Sequence, residues 1–311
     1  MAAARPALSD VKKRGTQLAK RRFEPVWRHV FNAQRTKAFR AAPPQLCAEG
    51  QRLSADLARD GFAKSSLEAL TGDATLLPRL QELAHSLEQG NARLIAEHKA
   101  RLDSGVKADV WDKPFVVELL DKRRPEVEPD GLLASVALHP QLRGIADTYF
   151  GLRVRVSDIN IWRSLRTSKP AESSQLWHKD LADDFFVLKM FVYLEDVDEG
   201  GGPFTYLRGS HRRGDLRDLR LPEHDDGQQM RGSVDAPEQV GVGDRVEAVT
   251  GPAGTVLFAD TLGYHRGGWA RTSERLLMQV LFTSNADIGK RKLAAPAGVR
   301  AEDWADDLAY A

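Results

Sequence analysis

Apolar residues recur at three- and four-residue spacing through LEALTGDATLLPRLQELAHSLEQGNARLIAEHKARL, and strong helix formers fill the positions between them. The pattern predicts a helical N-terminal region of about 130 residues. Pro78 suits the first turn of one helix, and Gly90 suits the break before the next. His85 and His98 fall inside this pattern, with no second ligand-type residue at a chelating spacing, and read as ordinary helix residues. From about residue 150 the period changes. RVRVSDINIW, FFVLKMFVYL, GPFTYL, GTVLFAD and RLLMQVLF are short, rich in β-branched and aromatic residues, and separated by Gly, Pro and Asp clusters. Such spacing predicts antiparallel strands in a sandwich or barrel of the jelly-roll kind. No long helices separate the strands, which argues against a parallel βαβ sheet.

The expected architecture is therefore mainly β with a helical flank (α+β). It comprises a basic helical extension over residues 1–50 and a single domain over 51–311. Within that domain a helical layer (51–148) precedes the jelly-roll core (149–285) and a tail (286–311) with a short helix around EDWADDLA. The polar, turn-rich stretch 208–250 is expected to run over the mouth of the barrel.

Charge and cysteine content narrow the functional classes. A net charge of +1 supplies no overall field for nucleic acid or anionic lipid. No apolar run approaches the roughly 18 residues that span a bilayer, and no secretory leader is visible. The single cysteine, Cys47, excludes an internal disulfide and fits a reducing compartment. The expectation is a cytoplasmic protein whose partner is a small molecule rather than nucleic acid or a membrane. The first 50 residues carry eleven Lys or Arg against Asp10, Glu24 and Glu49. This reads as a solvated helical face, with an organelle-targeting segment as the sharper alternative. No nucleic-acid-binding motif accompanies the charge.

The candidate chemistry begins at SSQLWHKDL, where His178 and Asp180 stand two residues apart. In a strand, residues i and i+2 share a face, so the pair can chelate one ion. A second such pair, His224 and Asp226, sits between Pro222 and Gly227 with no strand around it and reads as a solvated loop. A third ligand must come from elsewhere, and His211, His224 and His265 are the candidates after Asp180. His265 follows an apolar strand and lies among glycines in GTVLFADTLGYHRGG, where side chain and ligand can approach closely. Two histidines and one carboxylate make the facial triad of non-haem Fe(II) oxygenases, which leaves positions open for a bidentate cosubstrate and O₂. A closed zinc site would more often use cysteine. Ten residues beyond His265, Arg275 opens the strand RLLMQVLF. By itself it reads as an edge arginine pairing with Glu274 or solvent. With the triad upstream, its rigid fork fits the distal carboxylate of 2-oxoglutarate.

In that order, QLWHKD, DVDEGGGPFTYLRGSH, GTVLFADTLGYHRGG and ERLLMQVLF resemble the phytanoyl-CoA dioxygenase family of Fe(II)/2-oxoglutarate dioxygenases. The resemblance covers roughly residues 55–285, and LARDGFAKSSL is similar to the family's N-terminal element. It implies a double-stranded β-helix with helices on one outer face. It also implies metal ligands at His178, Asp180 and His265 and a 2-oxoglutarate anchor at Arg275. Gln175 and Thr205 are further candidates for hydrogen bonds to 2-oxoglutarate. Where the family commonly has proline before Gly-Ser-His, this chain has Arg208, and His211 reads as structural, holding the turn. Related enzymes often place a serine two residues after the arginine; here that residue is Leu277, so a second partner must come from another strand. Lys189 is a charge in an apolar strand, facing either the pocket or the barrel surface. Trp162, Trp177 and Trp269 read as core or rim residues. Arg163, Arg166 and Lys169 read as a solvated loop, with attraction of an acidic substrate as the alternative. The retained Asp180 favours hydroxylation, since related halogenases replace that carboxylate by a small residue; desaturation and ring closure stay open. Two other readings stand beside this one: a cupin-like metal enzyme without 2-oxoglutarate, which has no need for Arg275, and an inactive barrel serving as a binding protein.

Overall fold

The structure is a computed structural model that describes residues 23–105, 113–121, 124–223, 231–289 and 292–310. Nine strands among these residues form two sheets: β1 (Phe62–Ser66), β2 (Val116–Glu118), β3 (Arg155–Ser164), β4 (Leu188–Tyr193), β5 (Phe204–Leu207), β6 (Val246–Val249), β7 (Thr255–Asp260), β8 (His265–Arg266) and β9 (Arg275–Thr283). The large sheet runs β1-β7-β4-β9-β3-β2 and the small one β6-β5-β8. Every pairing between named strands is antiparallel. The architecture is the expected jelly roll with helices on one face.

Strand alternation divides the interior into two cores. Ile159 and Ile161 of β3, Leu188, Met190 and Val192 of β4, Val256 and Phe258 of β7, and Met278, Val280 and Phe282 of β9 face the helical layer. There they meet Leu53 and Leu57 of the helix Ala48–Asp60, Leu80 of Leu76–Gly90, and Leu142, Ile145 and Phe150 of Pro140–Phe150. Each fully buried side chain of this kind is worth roughly 1.5–3 kcal/mol. The alternate residues turn inward between the sheets, where Phe191, Tyr193, Leu257, Ala259 and Leu277 meet Phe204 and Tyr206 of β5. Both faces of the large sheet are therefore covered, which is why its central strands read as nearly continuous apolar runs.

Two strands depart from the sequence expectation. FAKSS falls within the predicted helical layer but forms β1, paired with β7 along the sheet edge. VEAV, within the predicted excursion, forms β6 against β5. FAKSS offers two apolar positions and the four-residue VEAV three, too short a run for a period. Pro78 does sit in the first turn of its helix, and Gly90 ends it. The stretch from residue 24 to 41 is not merely a solvated face. Trp27 is fully buried, its Nε1 donates to Asp184 Oδ1 at 2.6 Å, and Arg35 is buried against the backbone of Arg153 and Asp306. The basic residues up to 22 lie outside the described residues, as do His224 and Asp226. Among the described residues, no helix is long and apolar enough to cross a membrane.

Candidate metal and cosubstrate site

His178 and His265 face one another as a bridge between two chain segments, each N–H donating to the other's carbonyl at 3.0 and 2.9 Å. Directly opposed residues of an antiparallel pair share a face, and the two rings lie 4.3 Å apart between centroids. Asp180, two residues along, is fixed by its N–H donating to Thr261 O at 2.8 Å. Its Oδ1 lies 3.9 Å from His178 Nε2 and 3.8 Å from His265 Nε2. One donor atom from each residue falls within 4.8 Å of the others.

The donors are also set in the right chemical form. His178 Nδ1 lies 2.9 Å from Leu176 O, and His265 Nδ1 lies 3.0 Å from Gly263 O. A carbonyl only accepts, so each Nδ1 carries the proton and each Nε2 lone pair is left for a ligand. Burial holds His265 down at about 4 and His178 well below its ordinary value, so both imidazoles are neutral at neutral pH. Burial works to raise the Asp180 pKa, but the ammonium of Lys189 overrides it and holds the carboxyl well below the usual range. Lys189 Nζ sits 2.6 Å from Asp180 Oδ2. Of the two positions open from the sequence, Lys189 takes the inward one, and it leaves Oδ1 for an ion. Phe204 stacks on the His265 ring at 5.6 Å. Trp177 and Lys179 alternate with His178 and Asp180 and point outward, Trp177 into a satellite core and Lys179 over the Tyr264 ring at 4.5 Å. A cavity of about 320 Å³ reaches Asp180 between Lys179, Arg212 and Leu262.

Arg275 is 5% exposed and stands opposite Ser164 on β3, to which its Nη2 donates at 3.3 Å. Its Nε and Nη1 are buried with no partner. Burial pulls its pKa down, while the neighbouring Tyr193 phenol opposes the shift. The pairing with Glu274 that the lone residue suggested does not occur; Glu274 meets Lys99 at 3.2 Å instead. Gly267 and Gly268 bring backbone against the guanidinium, where an added Cβ would lie 3.8 and 3.5 Å from Nη1 and Nη2. Two orphaned donors in a rigid fork, buried among small residues, suit a bidentate carboxylate. The donor sets thus fit both Fe(II) and 2-oxoglutarate.

A profile of the family described as phytanoyl-CoA dioxygenase (PhyH) matches residues 26–275. The chain belongs to the phytanoyl-CoA dioxygenase family. Membership, with a His-Asp-His cluster in place, makes it a non-haem enzyme dependent on iron and 2-oxoglutarate. A comparison with curated proteins returns no match. Among solved structures, the chain is similar to EctD from S. alaskensis in its apo form, at 20% identity and TM-score 0.48, covering 78% of this chain and 80% of that one. It is similar to the epimerase SnoN in complex with Fe³⁺, α-ketoglutarate and nogalamycin RO, at 18% identity and TM-score 0.45, covering 76% and 84%. HygX from Streptomyces hygroscopicus, with nickel and 2-oxoglutarate bound, shares 16% identity at TM-score 0.47, covering 77% and 88%. The assignment rests on the family match and the cluster.

Within this family member, the remaining candidates fall in different places. Gln175 is buried near Arg275, but its groups are engaged: Oε1 accepts from Glu172 N at 3.0 Å and Nε2 donates to Gly268 O at 3.1 Å. It ties the turn before His178 to the glycines beside Arg275, a positioning task rather than direct contact. Thr205 is a correction. Phe204 and Tyr206 point inward, so Thr205, between them on β5, points to the other face, and its Oγ1 donates to Pro203 O at 3.3 Å. The expectation failed because a four-residue strand does not declare which face is inner. His211 holds a turn: Nε2 reaches Ala58 O at 3.3 Å, and the ring packs on Gly61. Trp162 is the tryptophan turned between the sheets, edge-on to Phe191 at 6.5 Å with its Nε1 unpartnered. Arg163 is held by Glu88 at 2.6 Å and Glu195 at 2.7 Å, and Lys169 donates to Leu102 O, so neither is a free loop cation. The sequence reading missed Ser164, which accepts from Arg275 where Leu277 cannot, and Tyr193, whose phenol lies beside the guanidinium. The register of β3 and β4 against RLLMQVLF was the signal that could have found them.

Proposed function

We propose that the protein is an Fe(II)/2-oxoglutarate-dependent hydroxylase of a small molecule, with His178, Asp180 and His265 as the metal ligands and Arg275 as the anchor for the far carboxylate of 2-oxoglutarate. The reading is carried by one observation: two buried imidazoles with their Nε2 atoms set free converge on Asp180 Oδ1, within one barrel with a guanidinium that has two unmatched donors. When bound, iron, 2-oxoglutarate and O₂ supply an oxidant strong enough to take a substrate hydrogen, with succinate and CO₂ released. The chain's residues orient the reactants. The Nδ1 hydrogen bonds stop the imidazoles rotating, Lys189 confines Asp180 to one oxygen toward the ion, and Phe204 and Trp162 keep the interior apolar. The retained Asp180 leaves no ligand position for halide, which favours hydroxylation. A barrel that never uses 2-oxoglutarate has no need for Arg275 in this state.

The test is an anaerobic titration of metal-free protein with Fe(II), then 2-oxoglutarate, following the visible charge-transfer band of the chelate. Wild type should give the band and His265→Ala should not. Metal binding without a band in wild type would point instead to the cupin-like reading, and no metal binding at all to an inactive barrel.

A further inference from the structure

We infer that the site is built for a substrate bearing an anionic group, a carboxylate or phosphate ester, which Arg231 receives beside the metal. This rests on the Fe(II)/2-oxoglutarate reading. Arg231 lies in the 208–250 excursion, far in sequence from the triad, and its placement follows from register. Trp177 and Gly232 form an antiparallel bridge, exchanging hydrogen bonds of 3.1 and 2.8 Å. One step along such a pair, Arg231 stands opposite His178. Opposed residues share a face, so Arg231 projects to the side His178 presents to the metal, with His265 on the other flank of the same histidine. The electrostatics agree with this placement. The positive charge of Arg231 presses down the pKa of both His178 and His265, and Asp180 is the acid that acts on Arg231 in return.

What remains, among the described residues, is a guanidinium nitrogen without a hydrogen-bond partner. Lys189 is matched by Asp180 at 2.6 Å. Arg231 Nη1 is buried and makes no hydrogen bond. A buried, unmatched guanidinium nitrogen facing a metal site is costly unless an acceptor arrives. The cosubstrate does not need it, because Arg275 already offers two unmatched donors for the far carboxylate. A planar fork with a free N–H pair selects carboxylate or phosphate over neutral groups.

The experiment uses the protein loaded anaerobically with Fe(II) and saturating 2-oxoglutarate. It is titrated with short aliphatic and aromatic carboxylic acids, their matching amides, and the corresponding phosphate monoesters. Perturbation of the charge-transfer band reports binding near the metal. Acids or phosphates should shift the band where their neutral partners do not, and the two arms distinguish the anion. In Arg231→Gln the concentration needed should rise on the order of 30-fold or more, with Arg231→Lys between the two. Half-saturation by 2-oxoglutarate should stay unchanged in both variants. If no acid or phosphate acts better than its neutral partner in wild type, the inference is overturned. It is equally overturned if Arg231→Gln weakens 2-oxoglutarate as Arg275→Gln does, because the guanidinium then serves the cosubstrate. A wild type that gives no band removes the underlying reading and the inference with it.

Discussion

Replacing Arg275 by glutamine separates an anchor from a structural arginine, because the two roles move stability and binding in opposite ways. The guanidinium is 5% exposed, donates once, to Ser164, and leaves Nε and Nη1 unmatched. An orphaned buried donor costs about 1–3 kcal/mol. Its removal relieves that cost and loses some stem packing, so the ligand-free variant is expected to lie within ~2 kcal/mol of wild type. Binding behaves otherwise. Losing one partner of a desolvated, bidentate charge pair costs about 2–5 kcal/mol. At 1.4 kcal/mol per tenfold, this is a roughly 30- to 5,000-fold rise in the 2-oxoglutarate concentration that half-saturates the band. The assay is the anaerobic titration at saturating Fe(II), run beside urea denaturation of the ligand-free proteins. A half-saturation within about threefold of wild type, a difference of under 1 kcal/mol, would refute the anchor. So would a large loss of stability with binding intact.

Two predictions concern the frame that holds the site. Trp27→Ala removes a fully buried indole together with its bond to Asp184 and should cost roughly 3–5 kcal/mol in denaturant unfolding; a loss below ~1 kcal/mol would mean that the segment does not belong to the cooperative core. Asp184 is raised to about 6, by burial against the opposing hydrogen bonds from Ser284, Phe185 and Trp27. Its unfolded value is about 3.9. The folded state therefore binds the extra proton between these values. The contribution is fully present below about pH 4 and is lost as pH rises to about 6, up to ~3 kcal/mol in all. Asp184→Asn should lack this downward slope when stability is measured from pH 4 to 7; an unchanged slope contradicts the assignment.

The central strands were legible because burial on both faces wrote them as apolar runs such as FFVLKMFVYL. The triad was legible because its chemistry needs rare residue types at fixed spacing. What escaped depended on contacts that no local pattern encodes. FAKSS and VEAV are too short to show a period, and become strands only because β7 and β5 offer edges. Lys189 could be placed on a face only once β4 was registered against its neighbours. Thr205 was assigned to the wrong side for the same reason. Trp27 sits in a basic stretch whose average suggests solvent, yet it is anchored by two residues far along the chain. Arg231 gave no sequence signal, since its position depends on a bridge to Trp177.

The anchoring of Trp27 bears on how the molecule forms. Its Nε1 donates to Asp184 and to Ser284, the second partner 257 residues away. A contact of that span is among the last a chain can close, because loop entropy must be met before the contact repays it. During synthesis the segment around Trp27 has no seat until β9 has been made. The rings of Phe150, Phe185 and Phe186, on which the indole packs, lack that cover for the whole interval. Slow folding, and reliance on whatever shields nascent apolar surface, follow from one indole hydrogen-bonded across nearly the length of the chain.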